Sequence, residues 1–348
     1  MLITRHVYQS SKGGKIYVPL EVNGRILSGG TPKLAKSIGS KYAQMSTSQV
    51  QKDLLDNHGR KISRDYIQQL SNDLGKEIEI NESKWIYNLP EDVVSATQIV
   101  SIGRDGTTTH IRNDGYRETM SGTISFHNEQ GERLHIIYKA QAPEYGKFSF
   151  NDRFQKQIIE VKELLQQEKE NITYIGLADG AKDNWTFLDQ YTEVAILDYW
   201  HACEYLTLAS KVASKSIYER KQWLINARRR LKEEQNAVEN LLLEMKKFRK
   251  KQKYSKIAKE GLKRAITYFE NHQHQMNYVE YEKKNYPIGS GVTEAACKVI
   301  VKQRLSRSGM KWNINTVQNV LNMRAIIYSD GQWTQFWEKI NQFGFSQN

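Results

Sequence analysis

A chain of 348 residues, 39% hydrophobic and 26% charged, has the length for two or three domains and the composition of a folded globular protein, which excludes a wholly disordered chain. Its net charge of +12 points to a polyanionic partner. Only Cys203 and Cys297 occur, excluding a disulfide framework and a cysteine-only zinc site and fitting a reducing cytoplasm. No window reaches the length of an apolar membrane span, and MLITRHVYQSSKGG has no apolar signal core, so neither a membrane anchor nor a secretory signal is expected.

Residues 1–30 form an N-terminal segment without cysteines. Residues 31–90 read as helices: TPKLAKSIGSKYAQM, then STSQVQKDLLDNHG, then SRDYIQQLSNDLG. Ser46 or Thr47 and Ser63 suit N-caps, while Gly59 and Gly75 suit C-terminal stops. Two short helices joined by HGRKIS predict a helix-turn-helix, with Arg64 and Gln68 presented to DNA; the alternative is a small bundle packed on the main domain.

A catalytic core is expected to begin in residues 91–211. TQIVSIGR, ETMSGTISFH and RLHIIYKA read as strands, the last two joined by NEQGE as a hairpin. The helix FNDRFQKQIIEVKELLQQEKEN follows, with Phe154, Ile158, Val161 and Leu165 at helical spacing. Then come strand ITYIGLAD, helix DNWTFLDQY, strand EVAILDYW and helix HACEYLTLASKVA. The order βββαβαβα predicts an antiparallel meander continued by helix-connected parallel strands, the order of an RNase H-like core. Residues 212–285 hold one Gly and no Pro and predict an all-α insertion. Residues 286–348 return to the core and add two helices, INTVQNVLNMRAIIY and WTQFWEKINQF. The expected class is therefore α+β or α/β and multidomain.

The charge is confined. Lys211 to Arg264 carry 12 Lys and 6 Arg against 6 Glu, which is 18 − 6 = +12, the entire excess. Arg228, Arg229, Arg230, Lys250 and Lys251 are the expected phosphate contacts there. Three carboxylates stand where a turn is predicted: Asp105 and Asp179, each followed by Gly after an apolar run, and Glu294 after the turn PIGSG. Hard divalent cations are held by a few carboxylates plus substrate phosphates, so this trio suits two Mg²⁺ ions, with Mn²⁺ as a substitute, for phosphodiester chemistry. Gly106, Gly180, Gly289 and Gly291 are expected to let phosphate approach the backbone. Lys298, Lys302, Arg304 and Arg307 follow Glu294 as candidate DNA contacts, and Trp312 is a candidate base-stacking group. Asp198 and His201 are expected to pair and brace the edge of the site.

With those residues in view, the sequence resembles bacterial insertion-sequence transposases, most of all the Kra group of DDE transposases. The resemblance rests on IGSGVTEAACKVIVKQRLSRSGMKW with VLNMRAIIYSDGQWTQFW, supported by GRDGT, ADGAKDNW, LDYWHACEYL and VPLEVNGRILSGGTPKLAKSIGSKYA. It implies an acidic triad at Asp105, Asp179 and Glu294 on an RNase H-like fold, and a C/D-x-x-H motif at Asp198 and His201. It implies Mg²⁺-dependent cutting at element ends and transfer of 3′ ends into target DNA. Partners would be terminal inverted repeats, target DNA and a second copy of the chain in a synaptic dimer or larger assembly, in the bacterial cytoplasm at the nucleoid. A DNA-binding repressor without chemistry and an RNase H-like nuclease are the alternatives. Two positions depart from the pattern: Val301 stands seven residues after Glu294, where many DDE enzymes have Lys or Arg, and YQSSKGGKIY lacks the cysteine pairs common near the N-terminus.

Overall fold

The computed structural model describes residues 4–14, 16–169, 171–250 and 254–346. After a short helix α1 (Pro19–Asn23), the chain forms α2 (Pro32–Tyr42), α3 (Thr47–His58) and α4 (Arg64–Glu82). Ser46 caps α3 through a reciprocal bond with Gln49, Ser63 caps α4, and Gly59 ends α3 in the left-handed conformation. Gly75 does not end α4. It lies inside the helix because Asn319, from a later helix, sits where any β-carbon would be, and Asn322 donates to its carbonyl.

A short α5 (Glu91–Ala96) leads into strands β1 (Ile99–Ile111), β2 (Gly115–His127) and β3 (Arg133–Gln141), then α6 (Phe148–Gln166), β4 (Thr173–Ala178), α7 (Lys182–Leu188), β5 (Val194–Leu197) and α8 (Tyr199–Ser210). The five strands form one mixed sheet in the order β3-β2-β1-β4-β5. β1–β2 and β2–β3 are antiparallel, whereas β4 lies parallel to β1 and β5 parallel to β4. Side chains alternate across each strand. On β1, Val100, Ile102 and Arg104 turn toward α6 and α7, and Arg104 lies over the Phe150 and Phe187 rings. Gly103 and Asp105 turn the other way.

Residues 212–285 are helical as expected: α9 (Ile217–Glu233), α10 (Ala237–Lys250), α11 (Lys256–His272) and α12 (Tyr278–Lys283). Leu231, Leu241, Met245, Leu262 and Phe269 join the apolar core that includes the sheet and α8. The chain returns as α13 (Gly291–Ala296), a π-helical turn (Cys297–Lys302), α14 (Gln303–Leu305), α15 (Ile314–Tyr328) and α16 (Gln332–Phe343). A second core joins α2, α3 and α4 to α15 and α16, through Ile38, Leu54, Leu70, Leu74, Leu321 and Phe336. Glu82, at the end of α4, is tied to Lys139 on β3 and to Arg153 on α6 at 2.7 Å, fastening these helices to the sheet. No helix among the described residues is long and apolar enough to cross a membrane.

Candidate active site

The paired register of β1 and β4 ends at Ile102 opposite Gly176. Three residues further on stand Asp105, still within β1, and Asp179, just past the end of β4, near enough for the charge of Asp179 to act on Asp105. Asp105 is not at a turn: β1 runs straight through Asp105-Gly106, because Ser121 and Met120 of β2 continue to pair with them. Only Asp179-Gly180 ends its strand. Asp105 Oδ1 accepts from its neighbour Gly106 N–H at 2.7 Å, and its Oδ2 lies 3.5 Å from Cys297 Sγ. Asp179 Oδ1 accepts from Ala181 N–H and from Asn184 Nδ2, both at 3.0 Å. Burial first, then the charge of Asp179, push the Asp105 pKa up; the Gly106 N–H and His201 pull the other way.

Glu294 reaches this face of the sheet because α13 lies close against β1 and β2. Gly103 allows that approach: a β-carbon there would collide with the Thr293 hydroxyl, which meets Thr123 Oγ1 at 2.8 Å. The turn before α13 is held from below by Asp198. Fully buried, Asp198 caps α8 by accepting from the Trp200 and His201 N–H groups with Oδ1. Its Oδ2 accepts from the Ser290 N–H at 2.6 Å and from the Ser290 hydroxyl. The expected side-chain pairing of Asp198 with His201 is thus replaced by a backbone one. The freed imidazole lies with Nε2 3.6 Å from Glu294 Oε1 and Nδ1 3.6 Å from Glu204. Asp198 holds the turn, and the His201 ring lies beside the Glu294 carboxylate.

Lys298, four residues on, shares the face of Glu294, and the π-helical turn sets which residue does so one turn later. An α-helix repeats every 3.6 residues, so two turns return to the seventh residue, here the fully buried Val301. A π turn holds about one residue more, so the eighth residue, Lys302, returns instead. Lys302 is exposed, without an ion pair among the described residues, and close enough to Cys297 to lower its pKa. The Cys297 thiol is nonetheless pushed up to about 12, by burial and then by the charge of Asp105. It is a neutral donor beside Asp105. Lys298 is also exposed.

Several expected DNA contacts are structural. Arg304 is buried, donates to the Tyr42 carbonyl at 3.0 Å and stacks on the Tyr42 and Trp312 rings; burial lowers its pKa to about 10. Trp312 is buried too, its indole N–H donating to Leu305 O at 2.9 Å, so neither residue can meet a base or a phosphate. Gln68 turns inward to the Tyr42 hydroxyl and Thr47, whereas Arg64 stays exposed beside Gln51. Arg230 is occupied by Glu234 and Glu244, Arg229 by Glu233 and Glu234, and Arg228 donates to Thr207. Arg307 is exposed, though its guanidinium donates to the Gln303 and Gln44 carbonyls. The Lys250 side chain and Lys251 lie outside the described residues.

The insertion offers other cations that the triplet at 228–230 concealed. Lys247, Arg249, Lys256, Lys259, Lys263 and Arg264 are exposed and carry no ion pair among the described residues. Gly180 also has a role other than the expected one: Tyr268 and His272 of α11 occupy the space a β-carbon would need, so the turn after Asp179 is packed under the insertion. Ser290 and Cys297 were legible only as members of the string IGSGVTEAACK, since neither lies near its partner, Asp198 or Asp105, in sequence.

The donor set is oxygen-only, and burial with the nearby charge of Asp179 raises the cost of ionising Asp105, which a hard cation relieves. In kind, the residues fit Mg²⁺ or Mn²⁺. Among the described residues no three of these groups stand assembled as a ligand set; Glu294 is directed to His201 and, at 3.4 Å, to Ser290 Oγ.

No protein-family model matches the chain, and no curated protein matches it. Among solved structures, NurA shares 15% identity over 82% of this chain, with a TM-score of 0.13, and NurA with manganese shares 13% over 76%, also at 0.13. The chain spans 64% and 65% of those chains. Likeness at this level establishes neither fold nor function.

Proposed function

We propose that the protein is a metal-dependent polynucleotidyl transferase with an RNase H-like core: a DDE transposase of an insertion sequence that cuts DNA at element ends and joins the 3′ ends to target DNA. What supports this reading is that Asp105 feels the charge of Asp179, while Glu294 stands on a helix packed against β1 and β2 through Gly103 and Thr293.

Asp105, Asp179 and Glu294 would hold two Mg²⁺ ions, with Mn²⁺ as a substitute. Bound there, such ions lower the pKa of a water or 3′-hydroxyl and stabilise the leaving oxygen. The protein's own groups supply the rest. Asp198 keeps the Ser290 turn in place, and His201 holds Glu294 until the ligand set closes. Lys302 gives the scissile region a cation on the Glu294 face. The six unpaired cations of α10 and α11 hold the duplex backbone, as does Arg64 on α4. Terminal repeats, target DNA and a second copy of the chain are the partners.

The test is strand joining by purified protein on duplexes carrying the element ends, with Mg²⁺. Wild type nicks and joins; Asp105→Ala, Asp179→Ala and Glu294→Gln lose both while retaining DNA affinity. Joining by Glu294→Gln at the wild-type rate would refute the triad. Nicking without joining would instead mark a nuclease.

A further inference from the structure

Six of the seven tryptophans are buried or half-buried, whereas Trp200 is 62% exposed. Exposing an indole forgoes about as much burial energy as any side chain can gain, and Trp200 is not on a mobile tip. Its N–H is capped by Asp198 Oδ1 at 2.5 Å, its ring makes an edge contact with Tyr199 at 5.2 Å, and the preceding residue is hydrogen-bonded to Ile288 O at 2.9 Å. The indole lies along the Gly289 backbone, where a β-carbon would stand 3.1 Å from ring atoms Cδ1 and Nε1. That glycine opens the turn carrying Ser290 and, four residues on, Glu294. Next in sequence, His201 contacts Glu294. A rigid aromatic surface is therefore built into the rim of the carboxylate site, one side on the Gly289 turn and the other to solvent.

We propose that Trp200 is a stacking platform for an unpaired nucleobase, receiving one that leaves the duplex beside the carboxylates. The ligand class follows from the chemistry of the surface. A flat π-face takes any base without reading its edge, and strand opening at a cut site is helped by a surface that compensates lost stacking. The inference rests on the proposed nucleic-acid chemistry of the adjacent site and adds a binding group that the triad does not supply.

The test uses the full chain, a blunt duplex and the same duplex with two unpaired nucleotides at one 3′ end. Because Trp200 is the most exposed tryptophan, the part of the quenching by DNA that Trp200→Ala abolishes is read as its own. The unpaired end is expected to quench wild type more than the blunt end does. Trp200→Ala should remove that difference and weaken binding of the unpaired end about 5- to 150-fold, with blunt-end binding unchanged. Trp200→Phe, which keeps a ring, should bind within a few-fold of wild type. Equal affinities of wild type and Trp200→Ala for the unpaired end would overturn the proposal. So would emission that changes with protein concentration but not with DNA, which would place the indole between copies of the chain. Unquenched Trp200 in a protein that still nicks DNA removes the platform alone. Loss of all DNA binding and nicking in wild type removes the enzymatic reading as well.

Discussion

At the scale of single residues, the same side chain can carry opposite meanings, and burial decides between them. Arg304 reads in sequence as a phosphate contact and Trp312 as a base-stacking group, yet they stack on each other in the core. Trp312→Ala should therefore destabilise the fold by about 3–5 kcal/mol, measured by chemical denaturation, while leaving the DNA affinity of the folded fraction unchanged. Asp198 shows the converse. Its role was expected to run through His201, but its two oxygens hold backbone and hydroxyl groups of two elements 92 residues apart. Asp198→Asn should lower metal-dependent activity about 10- to 100-fold with a raised Mg²⁺ requirement, as loss of an outer ligand-orienting group does. An unaltered Mg²⁺ titration would argue that the Ser290 turn holds itself. Asp105, Asp179 and Glu294 could be picked out in sequence by residue type and neighbouring glycines. Their distant contacts, Cys297 beside Asp105 and His201 beside Glu294, could not, because each lies on another element.

At the scale of elements, hydrophobic period and capping residues were enough to mark most helices and all five strands, since burial and capping are local signals. Gly75 misled because a glycine needed for close helix packing looks like one needed for a left-handed stop. Asp105-Gly106 misled in the same way, as a dipeptide that suits a turn but is held extended by a neighbouring strand. The π-helical turn has no local signature at all. With Lys298 one turn beyond Glu294 and Lys302 returned to that face by the widened turn, Lys298→Ala and Lys302→Ala should each weaken binding of element-end DNA by competition assay, whereas an exposed lysine off that face should not. The surplus of cations on α10 and α11 gives a second prediction. Each of Lys256, Lys259 and Lys263 that contacts phosphate should, when changed to Gln, reduce the salt-dependence slope of duplex binding by roughly 0.9. Unchanged slopes would move the DNA path off the insertion.

At the scale of the whole molecule, the insertion was visible as a change in composition, while the joining of the N-terminal helices to α15 and α16 in one core was not. That contact spans some hundreds of residues and has no local period. Its fastening makes stability pH-dependent. Ion pairing with Lys139 and Arg153 outweighs burial and holds the Glu82 pKa at about 2, below its ordinary 4.5. Its contribution is thus complete above pH 4.5 and lost as pH falls toward 2. Burial lowers the pKa of His127 and His135 below the ordinary 6.5, so the unfolded chain takes up protons that the fold refuses. Stability should begin to decline as pH drops through about 6.5, with a further loss below 4.5. Thermal unfolding across that range should show both stages, and Glu82→Gln should shrink the lower one at a cost of roughly 3 kcal/mol at neutral pH.

The central claim is that Asp105, Asp179 and Glu294 form one cation site. Anomalous diffraction from crystals soaked in Mn²⁺ tests it most directly. Manganese peaks beside all three carboxylates are expected, with Glu294 withdrawn from His201. Manganese bound elsewhere, or Glu294 still against His201 with no peak beside Asp105 and Asp179, would contradict it.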